Sequence, residues 1–357
     1  MNVNELLQVM VKKGISDIHF KSGAAPLLRV HGKLVSAGLE AFTAKNVEEL
    51  ADSLMSSEQR KVFEADWELD FAHSIDELSR FRINIYRQRG TTALTLRVVP
   101  LKVKAFEELH LPVEPLRKLA GESRGLILIA GVTGAGKTTT MNSILDYINE
   151  NFCYNIVTVE DPIEYYHKDK KSTISQREVG LDTKSYAKAL KYALRQDPDV
   201  IVIGEMRDFE AMSAAITAAE TGHLVLSTIH TMDSVQTIDR ILDSYPPHQQ
   251  ASVRSQFSNI IKGIVAQRLV MTKDGEGRIP ATEILLGTSL IKKHINEGKL
   301  NEVYKAIDQG AYYGMRTFDG DLLAMVKNGL ISVEEALDKA SNPDDMSLNI
   351  KGIEKAE

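Results

Sequence analysis

Gly131-Val-Thr-Gly-Ala-Gly-Lys-Thr138 sets three glycines, a lysine and a hydroxyl at a spacing suited to a polyphosphate. Gly131, Gly134 and Gly136, with Thr133 and Ala135 between them, let the main chain curl so that its N–H groups face anionic oxygens. Lys137 would neutralise β- and γ-phosphates, and Thr138, followed by Thr139, would offer a hydroxyl to Mg²⁺. Glu205 closes the apolar run Asp199-Val-Ile-Val-Ile-Gly-Glu205, where a carboxylate beside a γ-phosphate could polarise an attacking water. Glu160-Asp161-Pro-Ile-Glu164 places three carboxylates within five residues, close enough to hold Mg²⁺ or a water. His223 and His230 bracket Leu224 to Ile229. His230 stands at the end expected to face a nucleotide and suits a hydrogen-bonding sensor of the γ-phosphate. Metal ligation by the pair is disfavoured, because no other His or Cys stands at ligand spacing. Arg82, Arg87, Arg89 and Arg97 could supply the positive charge that phosphoryl transfer needs. Ordinary alternatives stand beside each: a glycine-rich turn, a solvated strand-end glutamate, an acidic turn opened by Pro162, core or surface histidines, a solvated arginine face.

These groups need a scaffold, and the hydrophobic pattern supplies one. Apolar runs at Leu126 to Ala130, Asn155 to Val159, Val200 to Ile203 and Leu224 to Thr228 alternate with helical stretches such as Thr139 to Ile148 and Tyr186 to Arg195. Continuous apolar strands separated by helices imply a mostly parallel sheet covered on both faces. The phosphate-binding glycines follow the first run and precede a helix, as their chemistry requires. Ahead of this region, Pro26 to Leu34 and Phe81 to Val99 alternate as strands, while Val47 to Phe63 has helical spacing, so residues 1–97 read as a small α+β domain. Three of ten prolines fall between Pro100 and Pro115, which marks residues 98–115 as a linker. Residues 116–357 then form the second domain. Its part from about residue 290 is helical, with Val333 to Lys339 capped by Ser332 and a polar tail after Asn342.

Composition narrows the partners. With 43 basic and 49 acidic residues among 357, the net charge of -6 gives no general pull toward nucleic acid or acidic lipid. Aromatics at 6% argue against a stacking-lined nucleic-acid channel. The lone Cys153 forms neither an internal disulfide nor a multi-cysteine zinc site, and fits a reducing, cytosolic compartment. The first residues read as a short amphipathic helix carrying Glu5 early, not as a signal peptide, and no apolar run is long enough for a transmembrane span.

Taken in order, the motifs resemble the secretion and type IV pilus ATPase superfamily, and within it the twitching-motility retraction branch. The residues that carry the likeness are Ser16-Asp-Ile-His19, the loop at 131–138 (Walker A), Val159-Glu-Asp-Pro-Ile-Glu-Tyr165 (the family's Asp box) and Gln176-Arg-Glu-Val-Gly180. They continue through Arg195 to Asp208 (Walker B), Glu220 to Thr231 (His box), Ala266-Gln-Arg-Leu269 and Gly314-Met-Arg-Thr-Phe-Asp319. The resemblance implies a PAS-like N-terminal domain, a RecA-like ATPase domain and a homohexamer using ATP and Mg²⁺. Glu205 would be the catalytic carboxylate, with Glu160, Asp161 and Glu164 in the Asp box and His223 and His230 in the His box. Arg82 and Arg97 match N-terminal arginines that reach the phosphates. The expected location is cytoplasmic, at the inner membrane through the pilus machinery. Expected partners are an inner-membrane platform protein and a paralogous retraction ATPase, with no nucleic acid. Extension and secretion relatives usually carry a four-cysteine zinc motif, which one cysteine cannot build, so no zinc is expected. One element departs from the branch: Leu290-Ile-Lys-Lys-His-Ile-Asn-Glu297 stands where Ala-Ile-Arg-Asn-Leu-Ile-Arg-Glu is typical, keeping both Ile and the Glu but losing both Arg. An extension or secretion motor without the zinc insert and a RecA-like nucleic-acid translocase are the alternatives.

Overall fold

A computed structural model describes residues 3–30, 33–75, 79–99 and 102–352. By its contacts the chain divides into two units, Met1–Lys102 with Glu164–Tyr166, and Val103–Ile163 with His167–Glu357.

The first unit is a six-stranded antiparallel sheet with helices. Its strands are β1 (Ile15–Lys21), β2 (Leu27–Val30), β3 (Lys33–Ser36), β4 (Glu68–Ile75), β5 (Ser79–Gln88) and β6 (Thr91–Val99), in the order β3-β2-β1-β6-β5-β4. On β5 the inward positions Phe81, Ile83 and Ile85 are fully buried and alternate with Arg82 and Asn84, as a one-sided sheet demands. Arg89 and Gly90 join β5 to β6 with φ of 49° and 77°, the paired positive values of a two-residue hairpin turn. The helical spacing of 47–63 resolves into two helices, Ala44–Leu54 and Ser57–Asp66. Met55 is extended and Ser56 forms a capping box with Gln59, so a new helix starts where the periodicity alone runs on. Val47, Leu50 and Phe63 from these helices join Phe20, Leu94 and Leu96 in the core.

In the second unit a seven-stranded sheet comprises β7 (Gly125–Ala130), β8 (Asn155–Glu160), β9 (Thr173–Glu178), β10 (Val200–Ile203), β11 (Leu224–Ile229), β12 (Ile261–Met271) and β13 (Arg278–Leu286). The order is β13-β12-β7-β11-β10-β8-β9, parallel throughout except for the β12–β13 hairpin. The fold class expected from the sequence therefore holds. Every residue of β7, β10 and β11 is buried, which is why these strands read as unbroken apolar runs. Two strands lack that signature. Edge strand β9 is polar and half-exposed, and β12 leaves the helix Pro247–Ile260 with no punctuating residue.

Two details differ from the sequence reading. Residues 98–115 overlap β6 at one end and the helix Val113–Ala120 at the other; Pro115 lies in that helix's first turn, where its missing N–H costs nothing. The expected polar tail after Asn342 is a helix, Pro343–Ile350, capped by Asn342 and holding Met346 buried. Pro343 starts it instead of ending the chain's order. Among the described residues five α-helices and one short 3-10 helix follow β13, beginning at Ser289. Among the described residues no helix is long and apolar enough to cross a membrane.

Candidate active site

Parallel strands deliver their carboxyl ends to one edge of the sheet, where β7, β10 and β11 place the loop 131–138, Glu205 and His230 together. Gly131 leaves β7 with φ 154°, and Gly136, at φ 87°, caps the helix Lys137–Asn151. Neither tolerates a side chain. A Cβ on residue 131 would stand 2.7 Å from the Gln267 carbonyl oxygen, and one on residue 136 would stand 3.0 Å from the Gln267 amide nitrogen. Gln267, buried on β12, donates from that nitrogen to the Ala135 carbonyl at 2.6 Å. This is what the Ala266-Gln-Arg-Leu269 stretch does here: it forms the floor of the phosphate loop.

Lys137 is buried, and its ammonium donates to the Gly131 and Val132 carbonyls at 2.9 and 3.1 Å. Thr138 and Thr139 occupy the first turn of the same helix, and Thr133 is exposed at the tip of the loop. Glu205 lies just beyond β10. One of its oxygens is 3.0 Å from His230 Nε2, and the other accepts from Arg207 Nε at 2.9 Å. Burden-sharing by His230 follows from its second nitrogen: Nδ1 stands 3.5 Å from Lys137 Nζ and 3.5 Å from Thr133 Oγ1, both able to donate to it. The Nε2–H tautomer satisfies both sides. His230 thus links the candidate base to the candidate phosphate cation.

The remaining predicted residues disperse. His223 precedes β11, at the end opposite the phosphate loop, where Nδ1 faces the Ala218 carbonyl at 2.9 Å and Thr221 Oγ1 at 3.2 Å. Bracketing a strand puts two residues at its two ends, so the pairing of His223 with His230 at one nucleotide site fails within a chain. The three-carboxylate cluster does not form either. Glu160 ends β8 buried, accepting from Thr158 Oγ1 at 2.7 Å and Gln176 Nε2 at 3.1 Å; Asp161 is exposed; Glu164 groups with the first unit. Among the described residues no three His, Cys, Asp or Glu side chains converge as a metal site.

In the first unit Arg82 and Arg97 face each other across β5 and β6. Arg82 makes a two-pronged contact with Asp70 at 3.2 and 2.7 Å, and Arg97 Nε donates to the buried Asp17 at 2.7 Å. Arg87 bonds Thr92 Oγ1 at 3.1 Å.

Tyr186, unremarkable in the sequence, proves to border the site. Burial pushes its phenol well above the usual range, reinforced by the Asp161, Glu160 and Glu205 carboxylates and opposed by Arg207. Its hydroxyl oxygen lies 3.1 Å from where residue 204 would carry a Cβ, so Gly204 makes room for it.

This geometry has close relatives. The family model for type II/IV secretion system proteins matches residues 1–316. The chain belongs to that family. It is 42% identical over 344 residues to the type IV pilus retractation ATPase PilT of Pseudomonas aeruginosa, covering 96% of this chain and 99% of that protein. A twitching motility protein of Neisseria gonorrhoeae is 40% identical over 322 residues, covering 90% and 86%. The crystal structure of the pilus retraction motor PilT with bound ADP superposes with a TM-score of 0.90 at 41% identity, covering 97% of this chain and 98% of that one. Within the family this chain is an ATPase of the PilT group.

Proposed function

We propose that this chain is a Mg²⁺-dependent ATPase motor, working as a homohexamer, that powers type IV pilus retraction. The observation that carries the reading is the Glu205–His230–Lys137 arrangement at the phosphate loop, with contacts of 3.0 and 3.5 Å. Lys137 exchanges the Gly131 and Val132 carbonyls for phosphate oxygens. Glu205, held by His230 and Arg207, takes the proton of the attacking water. The hydroxyl of Thr138 and the carboxylate of Glu160 or Glu164 are hard oxygen donors that suit Mg²⁺; few protein ligands are needed, because that ion keeps waters and phosphate oxygens in its shell. When bound, Mg²⁺ would neutralise charge on the phosphate oxygens. Arg82 and Arg97 supply further positive charge to the transition state. The domain scheme that goes with this reading is a PAS-like unit over residues 1–97, a connecting stretch and a RecA-like unit from residue 116.

Work on a pilus implies a station at the cytoplasmic face of the inner membrane, docked on a platform protein and accompanied by a paralogous ATPase. A structural zinc is not part of the reading, since Cys153 has no cysteine partner. Phosphate release by the purified chain, together with complementation of a strain that extends but does not retract pili, tests it. Restored retraction that requires Lys137 is the expected outcome. Hydrolysis without restored retraction would leave an ATPase with a different output.

A further inference from the structure

His167 lies outside every motif that carries chemistry, yet its imidazole is fully buried. Its Nε2 is 2.7 Å from Asn142 Oδ1, and Asn142 Nδ2 donates to the Thr138 carbonyl at 2.8 Å. The second bond fixes the Asn142 amide with its oxygen toward the ring, so His167 carries its proton on Nε2 and donates. Nδ1 stands 3.8 Å from Asp146, beyond hydrogen-bond distance. On the other side, the His167 backbone N–H donates to Gln176 Oε1 at 2.8 Å, and Gln176 Nε2 donates to Glu160 at 3.1 Å. Four hydrogen bonds therefore run from the carboxylate at the end of β8, through β9 and His167, to the first turn of the nucleotide-binding helix. Each link is buried or half-buried, and Asn142 is 1% exposed. Interior hydrogen bonds hold their members to one geometry, because breaking any of them strands a further buried polar group, and the His167 Nδ1 is already without a hydrogen-bond partner among the described residues.

We propose that His167 is a positioning residue for ATP hydrolysis, locking the acidic segment that begins at Glu160 to the helix that begins at Lys137. The proposal rests on the ATPase reading. A relay of this kind fixes where Glu160 stands relative to Thr138 but touches no phosphate. Its loss should lower turnover more than nucleotide affinity, since misplacement by about 1 Å costs up to about a hundredfold in rate.

The test compares the full-length protein with His167→Leu, which keeps bulk without a donor, and His167→Gln, which restores an N–H toward Asn142. Gln176→Leu cuts the relay elsewhere and serves should His167→Leu not fold. Steady-state ATPase, the dissociation constant of a fluorescent ADP analogue and the thermal midpoint are measured on each. The expected result is a fall in kcat of about tenfold or more in both leucine variants with the dissociation constant changed by less than about threefold, and recovery in His167→Gln. A folded His167→Leu with wild-type kcat overturns the proposal, as does an equal loss in affinity and turnover, or a glutamine that restores nothing. A wild-type protein that does not hydrolyse ATP overturns the ATPase reading instead.

Discussion

Replacing Glu205 by glutamine separates chemistry from binding and from stability. Glutamine keeps the shape of the side chain and loses the charge and one acceptor. The contact to Arg207 at 2.9 Å joins a guanidinium that is 62% exposed, so its loss costs at most about 1 kcal/mol of stability. The contact to His230 at 3.0 Å survives in either orientation of the amide, because the imidazole can present a donor or an acceptor. For a domain of this size the thermal midpoint should fall by no more than about 2–4 °C. A positioned general base contributes about 10²- to 10⁴-fold, or roughly 3 to 5 kcal/mol of barrier. Structural cost and catalytic cost thus differ by several kcal/mol, which a phosphate-release assay beside a melting curve resolves. ATP affinity should hold, because Lys137 and the loop backbone are untouched. Turnover within about tenfold of wild type would remove Glu205 from the base role. A matching loss of ATP affinity would make it instead a partner that orients His230 and Lys137.

Lys137→Ala should abolish nucleotide binding measurable by isothermal titration, since the loop would face several phosphate charges without the cation held at its Gly131 and Val132 carbonyls. Arg97→Ala should lose most turnover, about 10³- to 10⁵-fold if it acts as other arginine fingers do, while mixtures with Lys137→Ala regain activity if neighbouring subunits share sites; ATPase measured across mixing ratios decides it. That variant should also melt earlier than wild type, because buried Asp17 loses its 2.7 Å partner. Burial holds the Glu283 carboxyl above its ordinary range in the folded protein, so folding takes up a proton and stability falls as pH rises from about 4.5 through the folded value. Glu283→Gln should flatten that dependence in melting curves taken from pH 4 to 8, and an unchanged slope would contradict it.

The strands of the nucleotide sheet were legible because burial on both faces forces continuous apolar runs, and the run Val200 to Ile203 matches β10 residue for residue. Strand β9 was not legible, because an edge strand answers to solvent on one side and Gln176 and Glu178 serve the acidic loop. The loop at 131–138 announced itself through glycine spacing, whereas its floor, Gln267, arrives 132 residues from Ala135, and the motif around it gave no sign of that contact. Tyr186 and His167 were missed for the same reason: each acquires a role through a neighbour distant in sequence, Gly204 for one and Asn142 for the other. His223, which the resemblance grouped with His230, lies at the opposite end of β11 from it.

Each of the cations proposed to meet phosphate rests on an acceptor within its own unit: Lys137 on two carbonyls, Arg82 on Asp70 and Arg97 on Asp17. On the proposed reading, nucleotide binding is an exchange of acceptors, and the exchange is not equally costly at each position. The Arg82–Asp70 pair is about as exposed on both sides, 40% and 45%, so water can replace either partner at a cost of about 1 kcal/mol or less. Arg97 is 62% exposed but its acceptor is 5% exposed, and moving the guanidinium away would leave a buried carboxylate short of its closest cation, with Arg29 at 3.8 Å. On the proposed reading, Arg82 is the arginine better able to leave its acid for a phosphate, whereas Arg97 would act from where Asp17 holds it. Removing Asp70 should accordingly change the nucleotide response through Arg82 alone, and removing Asp17 should disturb the sheet that carries both.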